Sequence, residues 1–222
     1  MSFMHLILDF ILHLDKYLGV IINQFGPVTY IILFLVIFAE TGLVVTPFLP
    51  GDSLIFVAAT LSSQGYINPV LLYIVFVLAA IFGDTCNYWI GHFIGPKVFS
   101  QKKSRLFNPE HLHETQKFFE KYGGKTVIIA RFIPIVRTFA PFVAGIGSME
   151  YKKFILYNIV GGILWVSLFM FAGYFLGTLP VVQKNFHVAI FVIIGVSLLP
   201  PIIEIIKSKR KKSHHTPEAE SA

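Results

Sequence analysis

Four charged side chains in apolar segments are the residues of this chain whose types and spacing are best suited to chemistry. Glu40 and Asp52 lie in one such segment, and Arg131 and Arg137 lie in another. With 55% hydrophobic residues and a mean hydropathy of +0.71, the chain falls outside the range of ordinary soluble domains, so lipid is the solvent for most of it. A charge at membrane depth costs at least about 2.5 kcal/mol, and four such charges need an explanation.

The two residue types predict two different tasks. A carboxylate in low-dielectric surroundings can bind and release a proton near neutral pH, which makes Glu40 and Asp52 candidates for proton or sodium coupling. Arginine stays charged and presents a planar fork of donors that matches a pair of phosphate oxygens better than lysine does. Arg131 and Arg137 are therefore candidates for binding an anionic lipid headgroup. The N-termini of short helices in the same segments would add partial positive charge.

A structural interpretation competes with this functional one. Glu40 and Asp52 would then pair with Arg131 and Arg137 and only hold the two segments together. A buried ion pair seldom gains more from attraction than it loses on desolvation, and apolar packing would do the same task better. A functional role is therefore favoured.

Three further polar residues in apolar surroundings are assigned to packing. Asp84 and Tyr88 are four residues apart, on one face of a helix, and are expected to hydrogen-bond to each other or to a charged segment. Asn158 is assigned the same supporting role.

Both charged segments are interrupted, which predicts their shape. The first broken segment, residues 28–62, also contains Pro47, Pro50 and Gly51, and the second, residues 126–149, contains Pro134, Pro141 and Gly145. A continuous spanning helix would not tolerate so many breaks and charges. Each broken segment is predicted to be a hairpin of two half-helices that enters the membrane and returns to the same side. Irregular backbone is allowed at that depth only where protein or water surrounds it.

The remaining apolar stretches predict an all-α polytopic membrane protein with one membrane domain. We predict an N-terminal amphipathic interfacial helix in residues 1–26, a membrane domain in 27–206 with spans 69–95, 154–178 and 186–206, a cytoplasmic segment in 97–125 and a disordered basic tail in 207–222. Asn108-Pro109 is a helix start signal and Gly123-Gly124 is a stop signal.

An internal repeat predicts how these elements are oriented. Each broken segment precedes a span, and the two spans end on Gly91-x-Phe93-x-Gly95 and Gly173-x-Phe175-x-Gly177. Of the 18 Lys and Arg residues, 14 lie in segments that one topology places together, in the cytoplasm with the C-terminus. The two units are then an inverted repeat of opposed re-entrant hairpins whose tips meet near the middle of the membrane. Secondary transporters use this architecture for alternating access.

Three long motifs resemble those of the DedA family of bacterial membrane proteins. They are Phe38 to Asp52, Gly83-Asp84 with Tyr88, and Arg131 to Gly145. The resemblance implies a multi-pass transporter of the bacterial cytoplasmic membrane that flips undecaprenyl phosphate between leaflets and depends on a proton or sodium gradient. It also implies that the acids at 40 and 52 and the arginines at 131 and 137 are essential. Eukaryotic relatives with the VTT, or SNARE-associated, domain resemble lipid scramblases.

Other functions stay open at this point. The same acids would suit a proton-coupled antiporter of small ions or cationic drugs. Another possibility is a structural or assembly factor that has no transport activity. A lipid phosphatase is disfavoured because no second basic and histidine constellation supplies a nucleophile and an acid. His111, His113 and Glu114 are not expected to bind metal, because residues two apart on a helix face different directions. We expect no cofactor, metal or nucleic acid, and lipid as the main partner; self-association is left open.

Overall fold

A computed structural model describes residues 14–43, 51–98, 109–147 and 149–179. Every regular element within these ranges is a helix. In chain order they are α1 (Leu14–Phe25), α2 (Val28–Gly42), α3 (Gly51–Ser63), α4 (Pro69–Val98), α5 (Pro109–Tyr122), a short 3₁₀ helix (Gly123–Lys125), α6 (Thr126–Ala130), α7 (Pro134–Ile146) and α8 (Tyr151–Gly177). Predictions for residues 1–13, Pro47, Pro50, the span 186–206 and the tail 207–222 lie outside the described residues.

Within the described ranges, two helices are long and apolar enough to cross a membrane. They occupy Pro69–Ile94 and Tyr151–Gly177, and a crossing needs about 20 residues. The outer face of α4 exposes apolar side chains at Val70, Ile74 and Phe82, whereas its inner face buries Asp84 and Asn87. This distribution is the reverse of that of a soluble protein, and it suits a helix surrounded by lipid.

Each broken segment forms two separate helices. In the first, α2 ends at Gly42 and α3 begins at Gly51. In the second, α6 ends at Ala130 and α7 begins at Pro134. Proline fits the first turn of a helix, because the N–H that it lacks would make no hydrogen bond within the helix there.

Pro141 and Gly145 do not mark a break, contrary to the prediction. Both lie inside α7, and the interruption falls before Pro134 instead. A membrane helix tolerates an internal proline where neighbouring groups satisfy the freed carbonyl. Gly145 serves close packing, because a Cβ there would overlap the carbonyl of Tyr88 on α4.

The helices of the two broken segments pack in equivalent ways. α2 packs on α4 and α6 packs on α8, each within its own unit, whereas α3 packs on α8 and α7 packs on α4, across the two units. A Cβ on Gly91 would overlap the carbonyl of Phe142, and a Cβ on Gly173 would overlap the carbonyl of Phe56. Thr60 Oγ1 also donates a hydrogen bond of 3.0 Å to the Gly173 carbonyl. The first glycine of each Gly-x-Phe-x-Gly motif thus admits a helix from the other unit.

Candidate functional site

Arg137 holds two carboxylates at the point where three helix ends meet. Its Nη1 donates to Asp52 Oδ1 and its Nη2 donates to Glu40 Oε1, each at 2.7 Å. Glu40 lies in the last turn of α2, Asp52 in the first turn of α3 and Arg137 in the first turn of α7. The Arg137 side chain is 10% exposed, and those of Glu40 and Asp52 are 3% and 15% exposed.

Local sequence explains why these ends come so close. Gly51 begins α3 directly beside the Glu40 carboxylate, and a Cβ at this position would overlap the carboxylate oxygens. Asp52 in the first turn of α3 is stabilised by the positive end of the helix dipole. Glycine followed by aspartate therefore brings two acids to one guanidinium.

Arg131 holds a different acid, Asp84 on α4. Its Nη2 lies 2.6 Å from Asp84 Oδ2 and donates to Asn158 Oδ1 on α8 at 2.5 Å. Asn158 Nδ2 in turn donates to the Ile81 carbonyl at 3.0 Å and to Thr85 Oγ1 at 3.3 Å. The Arg131 side chain is 1% exposed, so this cluster fastens the two long helices together in a dry environment.

Several polar atoms of the two clusters have no hydrogen-bond partner among the described residues. They are Nε and Nη1 of Arg131, Oδ1 of Asp84 and Oε2 of Glu40. Gly161 on α8 makes room for Arg131, because a Cβ there would lie 3.1 Å from Arg131 Cδ and 3.2 Å from Nε. Unpaired buried polar atoms are uncommon in native structures and mark places where a proton, water or ligand could bind.

Trp165 on α8 lies between the two arginines. Its Nε1 donates a hydrogen bond of 3.0 Å to Asp52 Oδ1, the oxygen that Arg137 also contacts. Its ring lies 5.1 Å from Cζ of Arg137 and 5.9 Å from Cζ of Arg131, within the range of cation–π attraction. The indole is fully buried.

The predicted pairing of acids with arginines is partly wrong. Glu40 and Asp52 share Arg137, and Arg131 pairs with Asp84 instead. Spacing along one helix cannot reveal which other helix supplies a partner, and Asp84 lies where α4 passes the break between α6 and α7.

Of the two expected partners of Asp84, Tyr88 is not contacted, whereas a residue of a charged segment, Arg131, is. Asp84 turns to the guanidinium, and the hydroxyl of Tyr88 donates to the Met149 carbonyl. The Tyr88 ring stacks on Phe154 with centroids 4.4 Å apart. The charged partner of Asp84 and the aromatic packing of Tyr88 are therefore favoured over a contact between the two residues along one helix.

The structure adds one participant that the sequence analysis did not name, Trp165, and shows new contacts for two residues that the analysis did name. Asn158 and Asp84 were assigned to packing, yet both contact Arg131 directly. Their polarity within apolar spans was a usable signal, because such residues face the bundle interior. Trp165 carried no comparable signal, since tryptophan is common in membrane helices.

Metal chemistry finds no support in the part of the chain that the structure describes. No group of three or more His, Cys, Asp or Glu residues suited to a metal ion occurs there. The side chains of His111, His113 and Glu114 lie outside that part.

Comparison with known proteins identifies the family. Residues 49–175 match the model of the VTT domain. The chain is 52% identical to protein DedA of Escherichia coli (strain K12) over 212 residues, which cover 95% of this chain and 97% of DedA. It is 40% identical over 195 residues to an uncharacterised membrane protein of Mycobacterium tuberculosis (strain ATCC 25618 / H37Rv), covering 85% of this chain and 83% of that protein.

A third relative is the inner membrane protein YqjA of Escherichia coli (strain K12), 34% identical over 157 residues and covering 70% of both chains. No solved structure matches the chain. The chain belongs to the VTT domain family, and within it to the DedA group of membrane proteins. The resemblance predicted from the three motifs is thereby confirmed.

Proposed function

We propose that this protein carries an anionic lipid, undecaprenyl phosphate or one with a similar phosphate headgroup, across the bacterial cytoplasmic membrane. The observation that carries the proposal is the pair of contacts at 2.7 Å from Arg137 to Asp52 and Glu40. Two anionic oxygens on the two Nη atoms of one guanidinium are what a phosphate group would also supply. The two acids therefore compete with a lipid phosphate for Arg137.

Proton binding would release Arg137 for the lipid. A proton on Glu40 and another on Asp52 would remove both negative charges that hold the guanidinium. The freed fork would then bind a phosphate, and loss of the protons would return the acids and displace it. Proton binding and lipid binding thus favour each other, as linkage between two ligands requires.

The charge balance of the site supports proton or sodium coupling. Glu40, Asp52 and Asp84 supply three negative charges, and Arg131 and Arg137 supply two positive charges. A net buried negative charge is costly, and one bound cation would remove it. Glu40 is the first candidate for that cation, because its Oε2 is buried and has no partner among the described residues.

Arg131 is proposed as a second phosphate contact that exchanges its acid for the lipid phosphate to a smaller extent than Arg137 does. Its Nη2 is taken by Asp84 and Asn158, so only Nε and Nη1 are available to a phosphate oxygen. Asp84 and Asn158 join α4 to α8 through this residue, so its main proposed task is to hold the site in shape.

The proposed architecture is an inverted repeat of two re-entrant hairpins, with the C-terminus in the cytoplasm. The equivalent packing of α3 on α8 and of α7 on α4 supports the repeat. The repeat is supported further by Gly91 and Gly173, where carbonyl groups of the opposite unit come so close that they leave no room for a Cβ atom. The relative YqjA is an inner membrane protein by name, which favours the same membrane for this chain.

Reconstitution into liposomes tests the function. We expect purified protein to move undecaprenyl phosphate between leaflets, faster with a proton gradient than without one. Arg137→Lys should slow movement, whereas the matched control Lys125→Gln, at an exposed lysine, should not. Equal rates with and without the gradient would indicate a passive scramblase, and no lipid movement by folded protein would refute the proposal.

The net negative charge of the site also favours a second candidate, a proton-coupled antiporter of small ions or cationic drugs. Glu40 and Asp52 would then alternate between proton and cation, and Arg137 would tune their charge. Proton release on addition of a cation, without lipid movement, would support the antiporter over the flippase.

A further inference from the structure

We infer that Trp165 is a positioning residue that links the charge state of Asp52 to the two arginines. The inference rests on the proposed function for its transport consequences, although its contacts are visible without it. Trp165 Nε1 donates to Asp52 Oδ1, and the ring lies near the guanidiniums of both Arg131 and Arg137. Trp165 thus contacts all three of these charged residues.

The indole N–H acts on the acid. Asp52 Oδ1 accepts from Arg137 Nη1 at 2.7 Å and from Trp165 Nε1 at 3.0 Å. When Arg137 turns to a phosphate, the indole still holds Asp52 at the start of α3. A hydrogen bond donated to a carboxylate favours its charged form, so loss of the indole N–H is expected to ease proton binding at this site.

The indole ring acts on the arginines. Once Glu40 and Asp52 are protonated, Arg137 is a buried cation whose two anionic partners are gone. The electron-rich face of the ring, 5.1 Å from Arg137 Cζ, supplies attraction that does not depend on proton binding. The ring thereby stabilises the state in which Arg137 has released the acids and has not yet bound the phosphate.

Among the residues that the structure describes, five charged residues form the ion pairs of this cluster. Glu40 comes from α2, Asp52 from α3, Asp84 from α4, Arg131 from the turn before α7 and Arg137 from α7. Of the three acids, Asp52 is the one that accepts the indole N–H. A change in the N–H should therefore act on proton uptake through Asp52.

Two variants separate the roles of the N–H and of the ring. Trp165→Phe keeps an aromatic ring and loses the N–H, so the pH profile of lipid movement should shift by about one unit toward alkaline pH with the maximal rate nearly kept. Trp165→Leu also loses the ring, and the maximal rate should fall about tenfold or more at every pH. A residue that only fills the core would lower the amount of folded protein without moving the pH profile.

A fluorescence measurement tests the inference without transport. The chain has two tryptophans, and the other one, Trp89 on α4, is 38% exposed. In a Trp89→Phe protein in detergent, Trp165 is the sole emitter, and we expect its emission to change in one step on acidification. Asp52→Asn, which removes the titrating charge, should abolish that step.

The outcomes distinguish this inference from the proposed function. If wild-type protein moves no lipid but Trp165 emission titrates and Asp52→Asn abolishes the step, the transport proposal fails and the link between Trp165 and Asp52 stands. If Trp165→Phe, shown to be folded by gel filtration, has the wild-type pH profile, or if the emission step persists in Asp52→Asn, the inference is overturned.

Discussion

Arg131 and Arg137 belong to the same broken segment, yet their surroundings differ in kind. Arg137 joins three helix ends, uses two nitrogen atoms on two acids and keeps 10% of its side chain exposed. Arg131 joins the interiors of two long helices, makes its contacts through one nitrogen and is 1% exposed. Helix ends move at lower cost than the interiors of packed spans. Arg137 is therefore suited to exchanging ligands, and Arg131 is suited to anchoring the helices around it.

The largest expected difference concerns stability. Arg131→Ala would leave Asp84 and Asn158 buried without their charged partner and should cost about 3–5 kcal/mol. Arg137→Ala should cost less, about 1–3 kcal/mol, because the acids that it releases can take up protons. Thermal unfolding in detergent measures both, with Lys125→Ala at an exposed site as the control. If Arg137→Ala lowered the free energy of unfolding more than Arg131→Ala, Arg137 would be the anchor and Arg131 the residue that exchanges ligands.

The acids of Arg137 should set the pH dependence of lipid binding. In wild-type protein, binding should strengthen as pH falls, because proton uptake by Glu40 and Asp52 frees the guanidinium, with a limit of about tenfold per pH unit for each proton. The double variant Glu40→Gln, Asp52→Asn should lose this dependence and keep only the change that comes from titration of the lipid phosphate itself. Titration with a short-chain polyprenyl phosphate at several pH values measures this.

Asp84→Asn serves as the matched control for that titration, because it changes an acid of the anchor instead. It should keep the wild-type slope even if it lowers stability. An Asp84→Asn protein that lost the wild-type slope would place the coupling proton on the Arg131 cluster and break the comparison.

Lysine at the two arginine positions gives a smaller and more selective effect. Arg137→Lys keeps the charge but cannot hold two oxygens in a planar fork, so lipid movement should fall about tenfold while folding is kept. Arg131→Lys should mainly lower thermal stability. Transport rates and unfolding temperatures measured on the same two preparations give both quantities. Loss of transport from Arg131→Lys at unchanged stability would show that Arg131 contributes more to lipid binding than to anchoring the helices.

The smallest expected effect comes from the space around the anchor. Gly161→Ala would bring a Cβ to 3.1 Å from Arg131 Cδ, and the resulting displacement should cost about 1 kcal/mol or more. Gly19→Ala in α1 is the control, because a Cβ there meets nothing within 4 Å and should be neutral or slightly stabilising. Unfolding temperatures of the two variants test this. Equal unfolding temperatures would mean that the Arg131 side chain moves aside at little cost and is a poor anchor.

The course of the chain was predictable where local chemistry decides it. Pro134 starts a helix because proline fits the first turn, and α5 begins at Pro109 and ends before Gly123. Partners across helices were not predictable, because helical spacing says which residues share a face but not which helix covers it. Arg131 had several acids within apolar segments to choose from, and only the packing of α4 against α8 selects Asp84. Pro141 misled because the surrounding helices, which the sequence does not display, allow α7 to continue past it.

The reciprocal seating of Phe142 against Gly91 and of Phe56 against Gly173 has a consequence for biogenesis. During synthesis, α4 leaves the ribosome before α7 exists, so its glycine-lined groove must wait in the bilayer for a partner that is translated later. Neither half completes its own interior. The chain therefore matures as one unit only after α8 has been made, and a product that stops after α4 would present polar Asp84 and Asn87 to lipid at a cost in free energy.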